Sequence, residues 1–221
     1  MSEIEDRAEQ RRAEKRRLVE QYGGREISDA RTLRALSHPV RLALIETLTI
    51  GGVPMTATEL GEEIGETPTT CSFHLRQLAR YGFVEEAGGG KGRARPWRMS
   101  SIGMSFGPTH GTGPEYEIAA RTLTQMYRER SIDRHREWMD SQASYPARWR
   151  EAAENSEYVF YLTAEELEEL NHEVELVLVN RYLERLTDPS LRPPGSVPVE
   201  MLFMSWPLQP PEAEDPDEAG Q

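Results

Sequence analysis

Apolar residues recur at helical spacing from Ala30 to Leu48, where Leu33, Leu36, Val40, Leu44 and Leu48 line one face and Ile45 widens it. Ser37-His38-Pro39 interrupts the stripe, because Pro39 disfavours a helical His38 and suits the first turn of a new helix, with Ser37 or His38 as its cap. Thr56 to Ile64 repeats the pattern on a shorter scale. Thr56 and Glu59 form a capping box, Leu60 and Ile64 supply the buried stripe, and Gly65 suits an exit at positive φ. Another helix is predicted from Thr67-Pro68, a hydroxyl cap before a proline at the first helical position, to Tyr81. Cys71, Leu75 and Leu78 mark its apolar side. Thr69, Thr70, Ser72, Phe73, Arg76, Gln77 and Arg80 occupy the other, a mixture of short and long donors able to touch base edges and phosphates.

Period-two patterning follows. Gly82 closes the second short helix, Phe83 to Glu86 starts a strand, and the chain returns as Pro96-Trp97-Arg98-Met99, with Trp97 and Met99 alternating with Arg98. Between them lies a glycine-rich tip carrying Lys91, Arg93 and Arg95. Two short helices joined by a turn of about three residues admit two readings, a plain helical hairpin or a helix-turn-helix. The basic hairpin makes it a winged helix-turn-helix, with Lys91, Arg93 and Arg95 reaching phosphates or a narrow minor groove. Its bland counterpart is a mobile solvent loop with incidental charge.

Past residue 100 the patterning changes. Residues 101–114 read as a glycine-rich link with little to bury, and Glu115 to Met139 as one long helix carrying Ile118, Leu123, Met126, Tyr127, Ile132 and Trp138. Such a helix gains little in water without a partner surface, and pairing across a two-fold axis supplies one. Tyr145-Pro146 ends or kinks it. Tyr158 to Leu162 reads as a strand. Thr163 and Glu166 then form a capping box for a helix to Leu186, with Leu167, Leu170, Val174, Val177, Leu178 and Leu186 inward. Val197 to Trp206 reads as a second strand, apolar on both faces. The expected fold is mainly α with small β: a winged helix-turn-helix, a long helix and a small α+β C-terminal unit.

The expected division is 1–29, a charged N-terminal helix; 30–100, the DNA-binding domain; 101–208, a dimerisation and candidate effector domain; and 209–221, a disordered, proline-rich acidic tail. In the first unit Arg11, Arg12, Lys15, Arg16 and Arg17 form either a basic arm that grazes DNA or the outer face of a helix packed on a partner through Leu18 and Tyr22.

Overall charge speaks against nucleic acid, with 26 basic against 38 acidic side chains. Its partition along the chain points the other way. Residues 30–100 hold 9 basic and 7 acidic side chains, whereas 101–221 hold 10 and 23, so the unit facing DNA is the positive one and the acidic remainder should project away from a duplex.

Leu33-Arg34-Ala35-Leu36-Ser37-His38-Pro39-Val40-Arg41-Leu42, then Glu59-Leu60 with Gly65, then Thr70-Cys71-Ser72-Phe73-His74-Leu75-Arg76-Gln77-Leu78 resemble the ArsR-type winged-helix repressors of bacteria over about the first 100 residues. That resemblance implies a dimeric, sequence-specific regulator of double-stranded DNA, with Ser72, Phe73, His74 and Arg76 in the recognition part of the helix. Arg41, beside the helix break, is a further candidate phosphate contact. Two departures stand out: Glu59 to Gly65 lacks the cysteine pair of many metal sensors in that family, and Glu66 replaces an apolar residue.

Cys71 is the chain's single cysteine, which excludes an intrachain disulfide and a multi-thiolate metal site within one subunit; a buried packing role is the expectation. Asp133, His135 and Glu137 do not share a helix face, and Glu168 or Glu169 with His172 supplies only one edge of a carboxylate metal site. No cofactor is expected, and no histidine, serine or carboxylate set has the spacing of a hydrolytic enzyme. Trp149, Tyr158, Phe160, Tyr161, Met201, Phe203, Met204 and Trp206 either line a pocket for a small apolar effector or form a plain core, the commoner arrangement. With no 18-residue apolar run and no charged start leading into one, a cytoplasmic protein without a membrane partner is expected. The function expected is a homodimeric repressor controlled through its C-terminal unit. Its alternative is a winged-helix scaffold that docks on protein.

Overall fold

Pro39 divides the first apolar stripe into α1 (Ala30–Leu36) and α2 (Pro39–Gly51) in the computed structural model, which describes residues 13, 17, 23–89, 95–101, 103–107 and 110–210. Asp29 caps α1, its carboxylate accepting from the Thr32 amide at 2.8 Å. His38 caps α2, with Nδ1 accepting from the Val40 amide at 3.2 Å. In α3 (Ala57–Ile64) the capping box closes in both directions: the Thr56 amide donates to the Glu59 carboxylate at 2.7 Å, and the Glu59 amide to Thr56 Oγ1 at 3.3 Å. Gly65 then takes the left-handed conformation, φ 73°, which an L side chain would strain. Thr67 caps α4 (Pro68–Arg80), accepting from the Thr70 amide at 3.1 Å.

The hairpin pairs β2 (Val84–Glu86) with β3 (Trp97–Met99), antiparallel, with Val84 opposite Met99 and Glu86 opposite Trp97. Trp97 also exchanges two backbone hydrogen bonds with Met55, of 2.9 and 2.7 Å, which fastens the hairpin to the entry of α3. Leu36, Leu44, Leu60, Leu75, Leu78 and Phe83 are wholly buried between these elements.

This core extends beyond residue 100. α5 (Pro114–Ser141) lays Tyr116, Ala119, Ala120 and Leu123 against it. The stretch expected to be a link with little to bury is in fact held: β1 (Arg25–Glu26) pairs in parallel with β4 (Met104–Ser105), and the Tyr116 hydroxyl donates to the carbonyls of Ile27 at 3.0 Å and Gly107 at 3.1 Å. Two-residue strands carry too little alternation to be read from sequence, and Ile27 joins the core from outside the expected domain.

The C-terminal half differs more. After a 3₁₀ turn over Gln142–Ser144 come α6 (Ala147–Ala152) and α7 (Ala164–Thr187). The strands expected at Tyr158–Leu162 and Val197–Trp206 do not form: both stretches lack regular secondary structure and pair with no strand, so the expected α+β unit is not found among the described residues. A strand is stabilised by its ladder, and the described sheets are two separate pairs elsewhere, neither offering these segments an edge. The side chains expected to point inward from α7 also fail to bury. Leu167, Val174 and Leu178 are half-buried, and Leu170, Val177 and Leu186 are exposed.

Polar contacts attach this half to the core. Glu46 of α2, with 15% of its side chain exposed, accepts from Arg130 Nε at 2.9 Å and faces Arg134 at 3.1 Å. Arg134 Nε also donates to Glu200 at 2.8 Å, as does the Ser131 hydroxyl at 2.8 Å. Arg192 donates to the Arg185 carbonyl at the end of α7 at 2.9 Å and lies against Gly52, the C-cap of α2.

The N-terminal helix expected over 1–29 does not run to its end: Ala13 and Arg17 are helical and exposed, but 23–29 are not helical, and Arg25–Glu26 forms β1, paired with β4; Arg11, Arg12, Lys15, Arg16, Leu18 and Tyr22 lie outside the described residues, as do 211–221 of the expected tail. No helix among the described residues is long and apolar enough to cross a membrane.

Candidate nucleic-acid interface

On α4 the apolar and polar faces separate cleanly. Cys71, Leu75 and Leu78 are fully buried, and burial pushes the Cys71 thiol above its ordinary pKa, as befits a small packing residue. Thr69, Phe73, Arg76 and Arg80 fall on successive turns of the opposite side and are exposed, Phe73 to 55%. Thr70, Ser72 and Gln77 are half-buried along the margins. The Thr70 hydroxyl is engaged at 2.9 Å with that of Thr67. Arg76 Nε donates to the Ser72 carbonyl at 3.0 Å, which holds the guanidinium along the helix and leaves its terminal nitrogens for an outside acceptor.

His74 takes a different place from the one the resemblance implies. It faces the scaffold, half-buried, with its ring 4.4 Å from that of His38 at the N-cap of α2. Its Nδ1 and the Nε of Arg41 are buried without a hydrogen-bond partner among the described residues. Burial holds the pKa values of both imidazoles below the ordinary range. The His38 ring and then the Arg41 cation lower His74 further, Arg41 does the same to His38, and Glu66 opposes the shift in each. Arg41 is itself half-buried between α2 and α4. His38 was foreseen only as a cap; its role as a platform under α4 depends on a residue 36 positions away, which no local pattern signals.

In the wing, Arg95 pairs with Glu86 at 2.8 Å, both exposed, and Arg98 with Glu85 across the strands at 2.8 Å. An exposed pair of this kind is worth little, so a phosphate can replace Glu86 as the partner of Arg95. Lys91 and Arg93 lie outside the described residues.

The eight candidate pocket residues do not converge. Trp149 is half-buried, while Tyr158, Phe160, Tyr161, Met201, Phe203, Met204 and Trp206 are all exposed. Tyr158 and Phe160 stack on each other, ring centroids 5.7 Å apart. Apart from Trp149, which lies in α6, the candidate residues sit on segments without regular structure, and with seven of the eight exposed they enclose neither a pocket nor a core within one chain. Sequence reading also missed the Glu46, Arg130, Arg134 and Glu200 cluster, for which the one local signal was two arginines spaced i and i+4 on α5.

Known proteins resemble the chain over this part. Residues 36–87 match the family model described as a helix-turn-helix domain. Over 55 residues the chain is 36% identical to an uncharacterized HTH-type transcriptional regulator, YceK, of Bacillus subtilis (strain 168). That match takes in 25% of this chain and spans about half, 55%, of the relative. Residues 36–87, from the end of α1 to the far side of β2, therefore form a helix-turn-helix domain.

Proposed function

We propose that this chain is a transcriptional regulator that reads double-stranded DNA as a homodimer, in the manner of the ArsR-type repressors it resembles. One observation carries the reading: α4 buries one face completely and presents Thr69, Phe73, Arg76 and Arg80 in a single exposed row. A helix so mounted enters the major groove with its N-terminal residues on base edges, while Arg95 and the rest of the wing meet the backbone alongside. The match to a helix-turn-helix domain and the name of the Bacillus relative support the same reading.

The dimer rests on the C-terminal half. Among the described residues from 124 to 210 none is buried, although Tyr158, Phe160, Val177, Tyr182, Phe203 and Trp206 are large and apolar. So much apolar surface requires cover, and a second copy provides it symmetrically. Control by an effector would enter through this half, which touches α2 by way of Glu46. Its net negative charge would keep it clear of the duplex.

Enrichment of bound duplexes from a random pool tests this. The expected product is an inverted repeat with half-site centres about 34 to 36 Å apart, or a multiple of that. Arg76→Ala should weaken the enriched site by about 1–3 kcal/mol and relax one base position. Binding without sequence preference would instead identify a protein-docking scaffold.

A further inference from the structure

We propose that Phe73 reads the 5-methyl group of a thymine in the base pair next to the one contacted by Arg76. This inference rests on the DNA-reading function above and assigns its base specificity. Phe73 is the single apolar member of the exposed row Thr69, Phe73, Arg76 and Arg80. It is not a loose surface ring. Phe73 and His74 meet edge to face, with centroids 5.1 Å apart and planes at 78°, and the His74 ring lies tilted against that of His38, centroids 4.4 Å apart, so the phenyl is backed by His74 of α4 and, through it, by His38 at the N-cap of α2.

The floor of the major groove offers such a ring one favourable partner. Apart from small C–H edges such as C5–H of cytosine, the other base features there are hydrogen-bond donors or acceptors, and a phenyl placed over one of those removes water without returning a bond. The thymine methyl is the exception. A step of three residues along α4, from Phe73 to Arg76, advances about 4.5 Å, little more than the base-pair step of about 3.4 Å. The two side chains therefore address neighbouring pairs. With its Nε committed to Ser72, Arg76 retains the terminal nitrogens that match O6 and N7 of guanine. A thymine beside a guanine-bearing pair is thus the expected centre of each half-site.

Uracil-for-thymine replacement isolates the methyl group and uses the unmodified full chain. The duplex enriched from a random pool is resynthesised with each thymine changed singly to deoxyuridine, and dissociation constants are compared. One thymine per half-site should show about a fourfold loss, the factor expected for one buried methyl group. Cytosine at that position should bind less tightly than 5-methylcytosine by a similar factor. Phe73→Ala should bind the thymine and deoxyuridine duplexes equally. If every deoxyuridine is tolerated, or if the penalty persists in Phe73→Ala, the thymine assignment fails while DNA reading stands. If no sequence is enriched at all, both fail.

Discussion

The imidazoles of His38 and His74 lie against each other at the junction of α2 and α4, each held below its ordinary pKa of 6.5 chiefly by burial. The unfolded chain therefore takes up protons first as the solution is acidified. Stability of the helix-turn-helix domain should be complete above about pH 6.5 and decline as pH falls through the lowered folded values. His74→Phe keeps a ring against His38 and removes one proton site. Melting temperatures followed from about pH 7.5 to pH 5 should fall less steeply for that variant; equal slopes would show that the pair titrates like free histidine. Gly61 sets a second local constraint. A Cβ there would stand 2.6 Å from the Glu66 carbonyl oxygen, in the turn where the Glu66 amide donates to the Gly61 carbonyl at 2.9 Å. Gly61→Ala should cost about 1–3 kcal/mol, read as a lower denaturant midpoint with an unchanged m-value. Caps such as Thr56 with Glu59 were legible because donor and acceptor lie three residues apart. The inward turn of His74 was not, because it is decided by a neighbour on another helix.

At the scale of elements, α1 to α4 were legible for a shared reason: each buries one stripe against the others, so burial in the fold and periodicity in the sequence are one fact. The wing was legible too, since Trp97 and Met99 must alternate with Arg98 for Trp97 to reach the core. At Tyr158–Leu162 and Val197–Trp206 the same logic misled, because β-branched and aromatic residues favour a strand only where a ladder awaits it. The parallel pair of β1 with β4 was missed from the opposite side, being too short to leave a pattern. The wing carries its own prediction. Replacing Arg93 and Arg95 together by alanine should weaken binding to all duplexes alike and lower the slope of log affinity against log salt by about one unit per arginine. The slope should fall by less if Glu86 retains its hold on Arg95 in the complex. A titration in sodium chloride measures it, and an unchanged slope would remove the wing from the interface.

Across the whole molecule the two halves are held by different forces. The first is closed by apolar burial, from Ile27 to Leu123. The second has no buried residue between 124 and 210 among those described; beyond Met126 and Tyr127, which pack against the core, the contacts that tie it to the first are polar, centred on Glu46, Arg130, Arg134 and Glu200. Hydrogen bonds to Arg134 and Ser131 keep the Glu200 carboxyl below its usual pKa. Guanidinium–carboxylate contacts weaken as salt rises, and the Arg134–Glu200 pair is more exposed to screening than Glu46. Limited proteolysis within 192–208 should therefore quicken between about 0.05 and 0.5 M sodium chloride, and Glu200→Gln should quicken it at low salt. Rates indifferent to both would mean that apolar contacts hold the segment. Ionic strength then acts on this protein at two places, the face proposed to meet phosphates and the strap that fastens the acidic half to α2. The measured salt dependence of DNA binding would include ions taken up by the protein on itself, so the number of phosphates inferred from wild type alone would be wrong until the strap is cut.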